Sequence, residues 1–147
     1  MTPKDYYLKA GKIHQGICDK IRPKVKVGAT YLALAQEIEQ MIQDANASLA
    51  FPVNIQPNNE VHYTPLPGDT RTLNDGDIVK VDIGIHVNGY IADGAFTVSF
   101  NKDYDDMVKF TEKVLTETLT GLKPGMKISE IGKRLDKHME GSKYKIV

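Results

Sequence analysis

The chain has 147 residues, and its 19 basic and 19 acidic side chains give a formal net charge of zero. This balance offers no electrostatic reason to expect binding to nucleic acid or to an anionic membrane. The length is enough for one domain with a hydrophobic core. The single cysteine, Cys18, argues against a disulfide scaffold, and no stretch has the character of a signal peptide or a membrane span. We therefore expect a cytoplasmic protein in which Cys18 is a small buried apolar side chain.

Two helices are predicted in the first third of the chain. Thr2 is a typical cap, followed by a proline and an acid in the first turn, and Pro23 should end this helix. A second helix is predicted from about Thr30 to Asn46, and apolar residues repeat at helical spacing in both. His14 lies beside the apolar stripe of the first helix. A solvent-facing or edge position is expected for it rather than a ligand role, since no partner residue stands at a matching offset.

The stretch from residue 49 to residue 77 has a different character. Phe51–Ile55 is typical of a short strand, and a loop is predicted at Pro57–Asn59. His62 follows in a loop or short strand, just ahead of two acids in the next segment. From its position alone, His62 could be a metal ligand, a hydrogen-bond donor to a substrate, or a residue without a functional role.

The clearest pattern is a β-hairpin from Ile78 to Phe100. Asn88-Gly89 is a strong signal for a two-residue turn, because both turn positions tolerate positive φ. This turn pairs the residues on either side of it and so fixes the register of both strands, in which alternate side chains share a face. The predicted core face carries Val81, Ile83, Ile85, Val87, Tyr90, Ala92, Phe96 and Val98. The opposite face carries Asp82, Gly84, Asp93 and Ala95.

Asp82 and Asp93 are diagonal neighbours in this register, roughly 7–8 Å apart by backbone and closer at their carboxylates. Like charges at this spacing repel each other unless a cation lies between them. The pair therefore either binds one divalent metal ion or a bridged pair of ions, or lies on a solvated outer face. Gly84 favours the metal, since a strand glycine often marks a place of close approach. His86, on the same face but nearer the turn, is expected to be structural or exposed.

The last part of the chain contains two more predicted helices, capped by Asp103 and Ser129. Their predicted inward-facing residues are Met107, Phe110, Val114, Leu115, Ile131, Leu135 and Met139. Val25–Gly28 and the helix after it match Leu122–Gly125 and its following helix at an offset of 97 residues. This repeat predicts a duplicated α+β unit related by an approximate two-fold axis. The first copy spans about residues 4–100 and the second about 103–147, where the chain stops before the sheet of the second copy.

Four segments together resemble the methionine aminopeptidases. They are Phe51-Pro-Val-Asn, Asn59-Glu-Val-His62-Tyr-Thr-Pro, Gly76-Asp-Ile-Val-Lys-Val-Asp82-Ile-Gly and Gly89-Tyr-Ile-Ala-Asp93-Gly-Ala-Phe-Thr. The likeness is strongest to the type II branch of archaea and eukaryotes and runs from about Tyr6 to Val147. It implies the α/β pita-bread fold, whose pseudo-two-fold axis agrees with the repeat. Residues 1–147 would then form a single, incomplete catalytic domain, the first of two pseudo-symmetric halves.

The resemblance also implies removal of the initiator methionine from nascent proteins at a centre of two divalent metal ions, whether Co, Mn, Fe, Zn or Ni. By position, Asp82 resembles the bidentate ligand of one metal, and Asp93 resembles the carboxylate that bridges both. His62 resembles the catalytic histidine that hydrogen-bonds the substrate at the scissile bond. Phe51 resembles an aromatic wall of the methionine pocket, with a core position as the alternative. Position 94, here glycine, is commonly a small polar residue in the family.

One departure from the family pattern is large. The family takes one histidine and two glutamates of its metal shell, with a second substrate-contacting histidine, from the half that would follow Val147. The other histidines here do not match these roles, and His138 lies in the repeat helix. Two carboxylates alone cannot hold two such ions in an open catalytic geometry. We therefore expect weak or partial metal binding and no peptidase activity from this chain alone, whether it is a fragment, a split-gene product or a natural truncation.

Two other interpretations stay open. One is a non-catalytic pita-bread module, although the retained acids favour an enzyme lineage. The other is a different pita-bread peptidase such as a proline dipeptidase, which the Phe-Pro-Val-Asn and His-Tyr-Thr-Pro segments disfavour. The expected partners are nascent peptide N-termini, with the ribosome or a separate C-terminal half as further candidates. A half-fold would also leave a sheet edge unpaired and an apolar face uncovered, which predicts self-association.

Overall fold

The computed structural model describes residues 1–146, and the chain divides into two compact units. The first unit comprises Met1–Lys102 and contains two helices and all four strands. The second begins at Asp103 and contains two helices. Each unit is described below on its own.

Both helices of the first unit begin at threonine caps. Helix α1 (Pro3–Ile21) has the predicted capping box, in which Thr2 and Asp5 satisfy each other's backbone N–H groups. A short 3-10 helix follows at Arg22–Lys24, where proline interrupts the α-helical pattern. Helix α2 (Tyr31–Asp44) begins after Thr30, whose side chain accepts from the third residue along. The two predicted helices are therefore confirmed.

The hairpin forms with the predicted register. Strands β3 (Ile78–Val87) and β4 (Tyr90–Ser99) pair antiparallel along their whole length, from Val87 opposite Tyr90 outward. The turn residue Asn88 has φ of 53° and Gly89 has φ of 83°, as a primed two-residue turn requires. The predicted core face of β3 is buried in the hydrophobic core against α1 and α2. The register determines this, because a shift of one residue would turn the apolar side chains to the other face.

Two short strands complete the sheet along the other edge of β3. Strand β1 (Ser48–Leu49) pairs with the end of β3 near the turn, and β2 (Asn54–Pro57) pairs with its beginning. Four residues separate β1 from β2, and there the chain leaves the sheet edge. The predicted strand at 51–55 is thus displaced to 54–57, and β1 was not predicted.

The core of the first unit lies between the helices and one face of the sheet. Its fully buried large side chains are Ile21, Ile38, Ile42, Ile55, Leu73, Ile83, Ile85, Val53, Val79 and Val81. Cys18 packs against the edge of this core, as expected for a small apolar side chain, but it is half-buried and not fully buried.

The second unit contains α3 (Asp105–Leu119) and α4 (Ser129–Met139), which pack together. The capping predictions were wrong: Asp103 lies in a 3-10 helix at 102–104, and Ser129 is the first helical residue, with no side-chain cap on either helix. Leu115, predicted to face inward, is 52% exposed, whereas Val114 is buried. These positions are adjacent, and a helix turns its face by about 100° per residue.

The repeat is visible in the backbone at one matched position. Gly28 and Gly125, which are 97 residues apart in the sequence, have φ of 85° and 88° in the turn that precedes α2 and α4. A positive φ is inexpensive only for glycine, so both copies need it there. In the part of the chain that the structure describes, no helix has both the length and the apolar character needed to cross a bilayer.

Candidate functional site

Asp82 and Asp93 share the outer face of the hairpin. Asp82 is opposite Ala95, and Asp93 is opposite Gly84, so the two acids are diagonal neighbours. The Ala50 N–H donates to the Gly84 carbonyl at 2.9 Å, so this carbonyl points away from β4. Gly84 and Asp93 are therefore a non-hydrogen-bonded pair, the type that brings side chains closer together. The register therefore places Asp82 and Asp93 as diagonal neighbours on one face, roughly 7–8 Å apart by backbone.

The two carboxylates differ in their surroundings. Asp93 is exposed, and no residue of 1–146 forms a hydrogen bond or ion pair with it. The side chain of Asp82 is 20% exposed, and its Oδ2 lies 3.7 Å from Lys80 Nζ. Lys80 is itself partly solvated, so this pairing contributes little and is easily exchanged for another cation. Both carboxylates thus keep lone pairs available for a ligand.

Phe51 lies over the strand glycine beside the acids. A Cβ built on Gly84 would be 2.1 Å from Phe51 Cε1, a distance no side chain can occupy. Because that Cβ would point to the outer face, the ring lies on the same face as the two carboxylates. The close approach predicted at Gly84 is thus made by the Phe51 ring. Phe51 is half-buried, which leaves part of the ring open as a wall.

His62 is exposed and has φ of 57°. This left-handed conformation is uncommon for a residue with a side chain and is often found where function requires it. The next residue, Tyr63, is tied to the sheet, because the Ile55 N–H donates to its carbonyl at 2.9 Å. His62 is therefore presented from a segment that runs beside β2.

Arg71 is the centre of the cluster that holds this segment in place. Its guanidinium lies 3.8 Å from the centre of the Tyr63 ring and 5.0 Å from that of Tyr31. It also forms an ion pair with Glu60, in which the same Arg71 nitrogen, Nη1, donates to both carboxylate oxygens at 2.9 and 3.2 Å. The Tyr63 hydroxyl donates to Asp69, and this bond, followed by one from the Arg71 backbone N–H, lowers the pKa of the Asp69 carboxyl. Side-chain bonds around Arg71 therefore help to close the loop, together with backbone bonds such as the one from the Tyr31 N–H to the Arg71 carbonyl at 3.1 Å.

Asn54 is a residue of this face that the sequence reasoning missed. It pairs directly with Asp82, so its buried side chain lies on the same face as that carboxylate. Its amide donates to the Pro52 carbonyl at 3.0 Å and accepts from the Thr64 hydroxyl at 3.4 Å. Asn54 thus links the segment after His62 to the strand beside the acids. Its place in the Phe-Pro-Val-Asn segment was the available signal, but its pairing partner could not be read from the sequence.

The other histidines do not join the acids. His86 accepts from the Gly89 N–H at 3.2 Å and so supports the hairpin turn, the structural role predicted for it. His138 Nδ1 lies 3.3 Å from Glu117 Oε2 within the second unit. His14 is half-buried, which is compatible with the predicted edge position, but it is not solvent-facing: its imidazole bonds to the hairpin backbone on the core face, a contact that was not predicted.

The structure therefore brings Phe51, Asp82 and Asp93 onto one face, with His62 carried by the adjoining segment. Carboxylate oxygens are suitable donors for divalent cations, and the two acids fit such an ion as part of a ligand set. Among residues 1–146, no third His, Cys, Asp or Glu joins them in a group that could hold a metal ion.

Comparison with known proteins identifies relatives of this chain. The model of metallopeptidase family M24 matches residues 5–147. A methionine aminopeptidase from Pyrococcus abyssi is 38% identical over 133 residues, which cover 90% of this chain and 45% of that protein. One from Methanocaldococcus jannaschii is 37% identical over 139 residues, covering 94% and 47%. The chain spans less than half the length of these relatives.

Solved structures share the fold. A methionine aminopeptidase from Rickettsia prowazekii superposes with a TM-score of 0.81 at 22% identity, covering 100% of this chain and 64% of that one. A prolidase from Pyrococcus furiosus gives 0.79 at 19% identity, covering 95% and 43%. The expected fold, one part of the pita-bread architecture, is confirmed. Since both structures superpose on this chain almost equally well, the fold alone does not distinguish between the two activities.

Proposed function

This chain belongs to metallopeptidase family M24, and from that premise we propose that it carries the Asp82–Asp93 part of the metal centre of a methionine aminopeptidase. The observation that carries the proposal is the convergence of both acids and the Phe51 ring on one face of the hairpin. The relatives that are 37% and 38% identical are named methionine aminopeptidases, which favours this activity over that of a proline dipeptidase.

Each residue of the face has a distinct task in this proposal. Asp82 and Asp93 would hold the divalent metal through their carboxylate oxygens. The bound metal supplies Lewis-acid stabilisation of negative charge that develops on the scissile carbonyl. Phe51 offers an apolar surface for the methionine side chain, and His62 donates a hydrogen bond to the peptide near the bond that is cleaved.

The site needs further ligands. Since residues 1–146 place only two carboxylates together, we propose that this chain alone binds metal weakly and does not cleave peptides. A C-terminal half, joined or separate, would supply the remaining ligands and cover the open sheet face. Nascent peptide N-termini are the proposed substrates, the cytoplasm is the proposed location, and the ribosome is a candidate partner.

Metal binding is the first test of the proposal. We expect calorimetric titration with Mn²⁺ to show weak binding to the parent chain and at least a tenfold loss in Asp82→Asn and in Asp93→Asn, because each change removes a charged ligand. Asp75→Asn makes the same chemical change in an exposed turn outside the hairpin and should leave binding unchanged. An equal loss of Mn²⁺ affinity in all three variants would show that the ion is attracted by general surface charge and not bound at a specific site.

Activity requires a chimera in which residues 1–147 replace the matching part of the Pyrococcus abyssi relative. We expect this protein to release methionine from Met-Ala-Ser in the presence of Mn²⁺, and the same chimera with Asp82→Asn to be folded and inactive. The isolated chain should release none. Turnover of Ala-Pro without turnover of Met-Ala-Ser would favour the dipeptidase, and rapid turnover by the isolated chain would refute the incomplete site.

A further inference from the structure

His14 contacts the hairpin directly behind the two acids. Its Nε2 lies 3.0 Å from the Ile83 carbonyl oxygen and 3.3 Å from that of Gly94. These two residues immediately follow Asp82 and Asp93 in the chain. Carbonyl oxygens only accept hydrogen bonds, so Nε2 carries the proton and donates to both. One imidazole thus bonds to both strands at the level of the acid pair.

Gly94 provides the space for this contact. A Cβ at position 94 would be 2.9 Å from His14 Cε1, closer than real Cβ atoms approach their neighbours. The imidazole therefore rests directly on the backbone of β4.

His14 contacts a pair of residues whose backbone hydrogen bonds join β3 to β4. Because the Gly84 carbonyl points away from β4, the Ile83 carbonyl points towards it, and Ile83 and Gly94 form a hydrogen-bonded pair. His14 adds a donor over this pair from the core side. The carboxylates leave the adjacent residues from the other side, so a change in strand separation here changes the distance between them.

Cys18 packs against the imidazole ring. It lies one helical turn after His14, and its Sγ is 3.8 Å from Nδ1 and 3.9 Å from Nε2, so the sulfur contacts both ring nitrogens about equally. Burial raises the pKa of the Cys18 thiol. The tautomer with the proton on Nε2 is therefore selected by the two carbonyls, while the thiol helps to fill the space beside the ring.

We propose that His14 is a positioning residue for the metal-binding carboxylates. Acting through the backbone of Ile83 and Gly94, it holds the two strands at the separation that lets Asp82 and Asp93 share a cation. The inference rests on the proposed metal site. Groups that orient metal ligands from behind typically change metal affinity by 10–100-fold when removed.

The test compares three variants of the full chain. We expect His14→Ala to weaken Mn²⁺ binding, followed by electron paramagnetic resonance, by about 10–100-fold. His14→Gln, whose amide can still donate to a carbonyl, should recover most of the affinity. Ile17→Ala is the matched control on the same helix: this residue is 4% exposed, so its truncation should cost more stability yet change affinity less than about threefold.

A second readout needs no metal. Hydrogen exchange of the Ile83 and Gly94 amides should accelerate at least tenfold more in His14→Ala than in Ile17→Ala, measured relative to the Val79 amide. If Mn²⁺ binding to the parent chain does not depend on Asp82 and Asp93, the proposed function fails, and this selective exchange still decides whether His14 holds the strands. Unselective exchange, or equal loss of affinity in His14→Ala and Ile17→Ala, would overturn the positioning role.

Discussion

The hairpin of β3 and β4 and the loop from Asn58 to Leu73 both carry site residues, but different forces fix them. In the hairpin, an uninterrupted backbone ladder and a buried face set the positions of Asp82 and Asp93. In the loop, His62 depends on side chains gathered around Arg71, many of them half-exposed. The acids are therefore rigidly placed, whereas the segment with His62 should open at a lower free energy.

The largest expected effect lies on the core face of the hairpin. Ile83 is 0% exposed, so Ile83→Ala should lower the free energy of unfolding by about 2–5 kcal/mol through lost burial and a cavity. Ile91, on the opposite face, is 51% exposed, and Ile91→Ala should change it by less than about 0.5 kcal/mol. Urea denaturation followed by circular dichroism measures both. Similar costs for the two changes would show that the faces are wrongly assigned.

The contact between Gly84 and the Phe51 ring should give the next largest effect. Gly84→Ala forces the ring away and should lower the free energy of unfolding by about 1–3 kcal/mol. In a Phe51→Ala background the same change should cost much less, because the clash is gone. Gly16 in α1 has open space around its Cα, so Gly16→Ala should stabilise by up to about 1 kcal/mol. An equal cost of Gly84→Ala in both backgrounds would contradict the contact.

Substitution of Arg71 should accelerate amide exchange in the loop but not in the hairpin. Arg71→Gln removes the ion pairs to Glu60 and Asp69 and the stacking on the tyrosines, so exchange of the Ile55 amide should accelerate by about tenfold. Exchange of hairpin amides should stay unchanged. Arg71→Lys should give an intermediate result, because it keeps the charge but loses the planar guanidinium that lies against the Tyr63 and Tyr31 rings.

Lys24→Gln is the control for the loop experiment, since it breaks an exposed ion pair with Glu37 elsewhere in the same unit. It should leave exchange of the Ile55 amide unchanged. Faster exchange throughout the first unit in Arg71→Gln would mean that the loop and the hairpin open together, and the contrast between them would be lost.

The smallest predicted effect is the pH response of the loop. The Asp69 pKa is lowered in the folded chain, chiefly by the hydrogen bond from the Tyr63 hydroxyl. This bond therefore stabilises the loop fully above the unfolded carboxyl pKa of about 3.9, and its contribution is lost as the pH falls through the lower folded value. The ring signals of Tyr63 in NMR spectra should report this step. The step should vanish in Asp69→Asn, and its persistence there would assign it to another acid.

The sequence predicts the hairpin well because alternation and the Asn-Gly turn leave a single register that buries the apolar face. The same register predicts the acid pair. Strand β1 was not predicted because its two residues, Ser48 and Leu49, are too few to show an alternating pattern. Helix capping at Asp103 and Ser129 failed because a good cap residue determines a helix start only when the chain reaches it in an extended conformation.

The remaining site features depend on contacts between distant positions. His14 and the carbonyls it meets are 69 and 80 residues apart, so no local pattern places the ring behind the acids. The proximity of Asn54 to Asp82 depends on the register of β2, which has no turn residue to fix it.

Metal binding by Asp82 and Asp93 can be tested directly by mapping where Mn²⁺ broadens the amide signals in NMR spectra of the full chain. We expect the amide signals of Asp82, Gly84, Asp93 and Ala95 to lose intensity at the lowest Mn²⁺ concentration. This loss should disappear when both acids are changed to asparagine. Broadening spread evenly over surface acids, or the same pattern in the double variant, would contradict a metal site on this face of the hairpin.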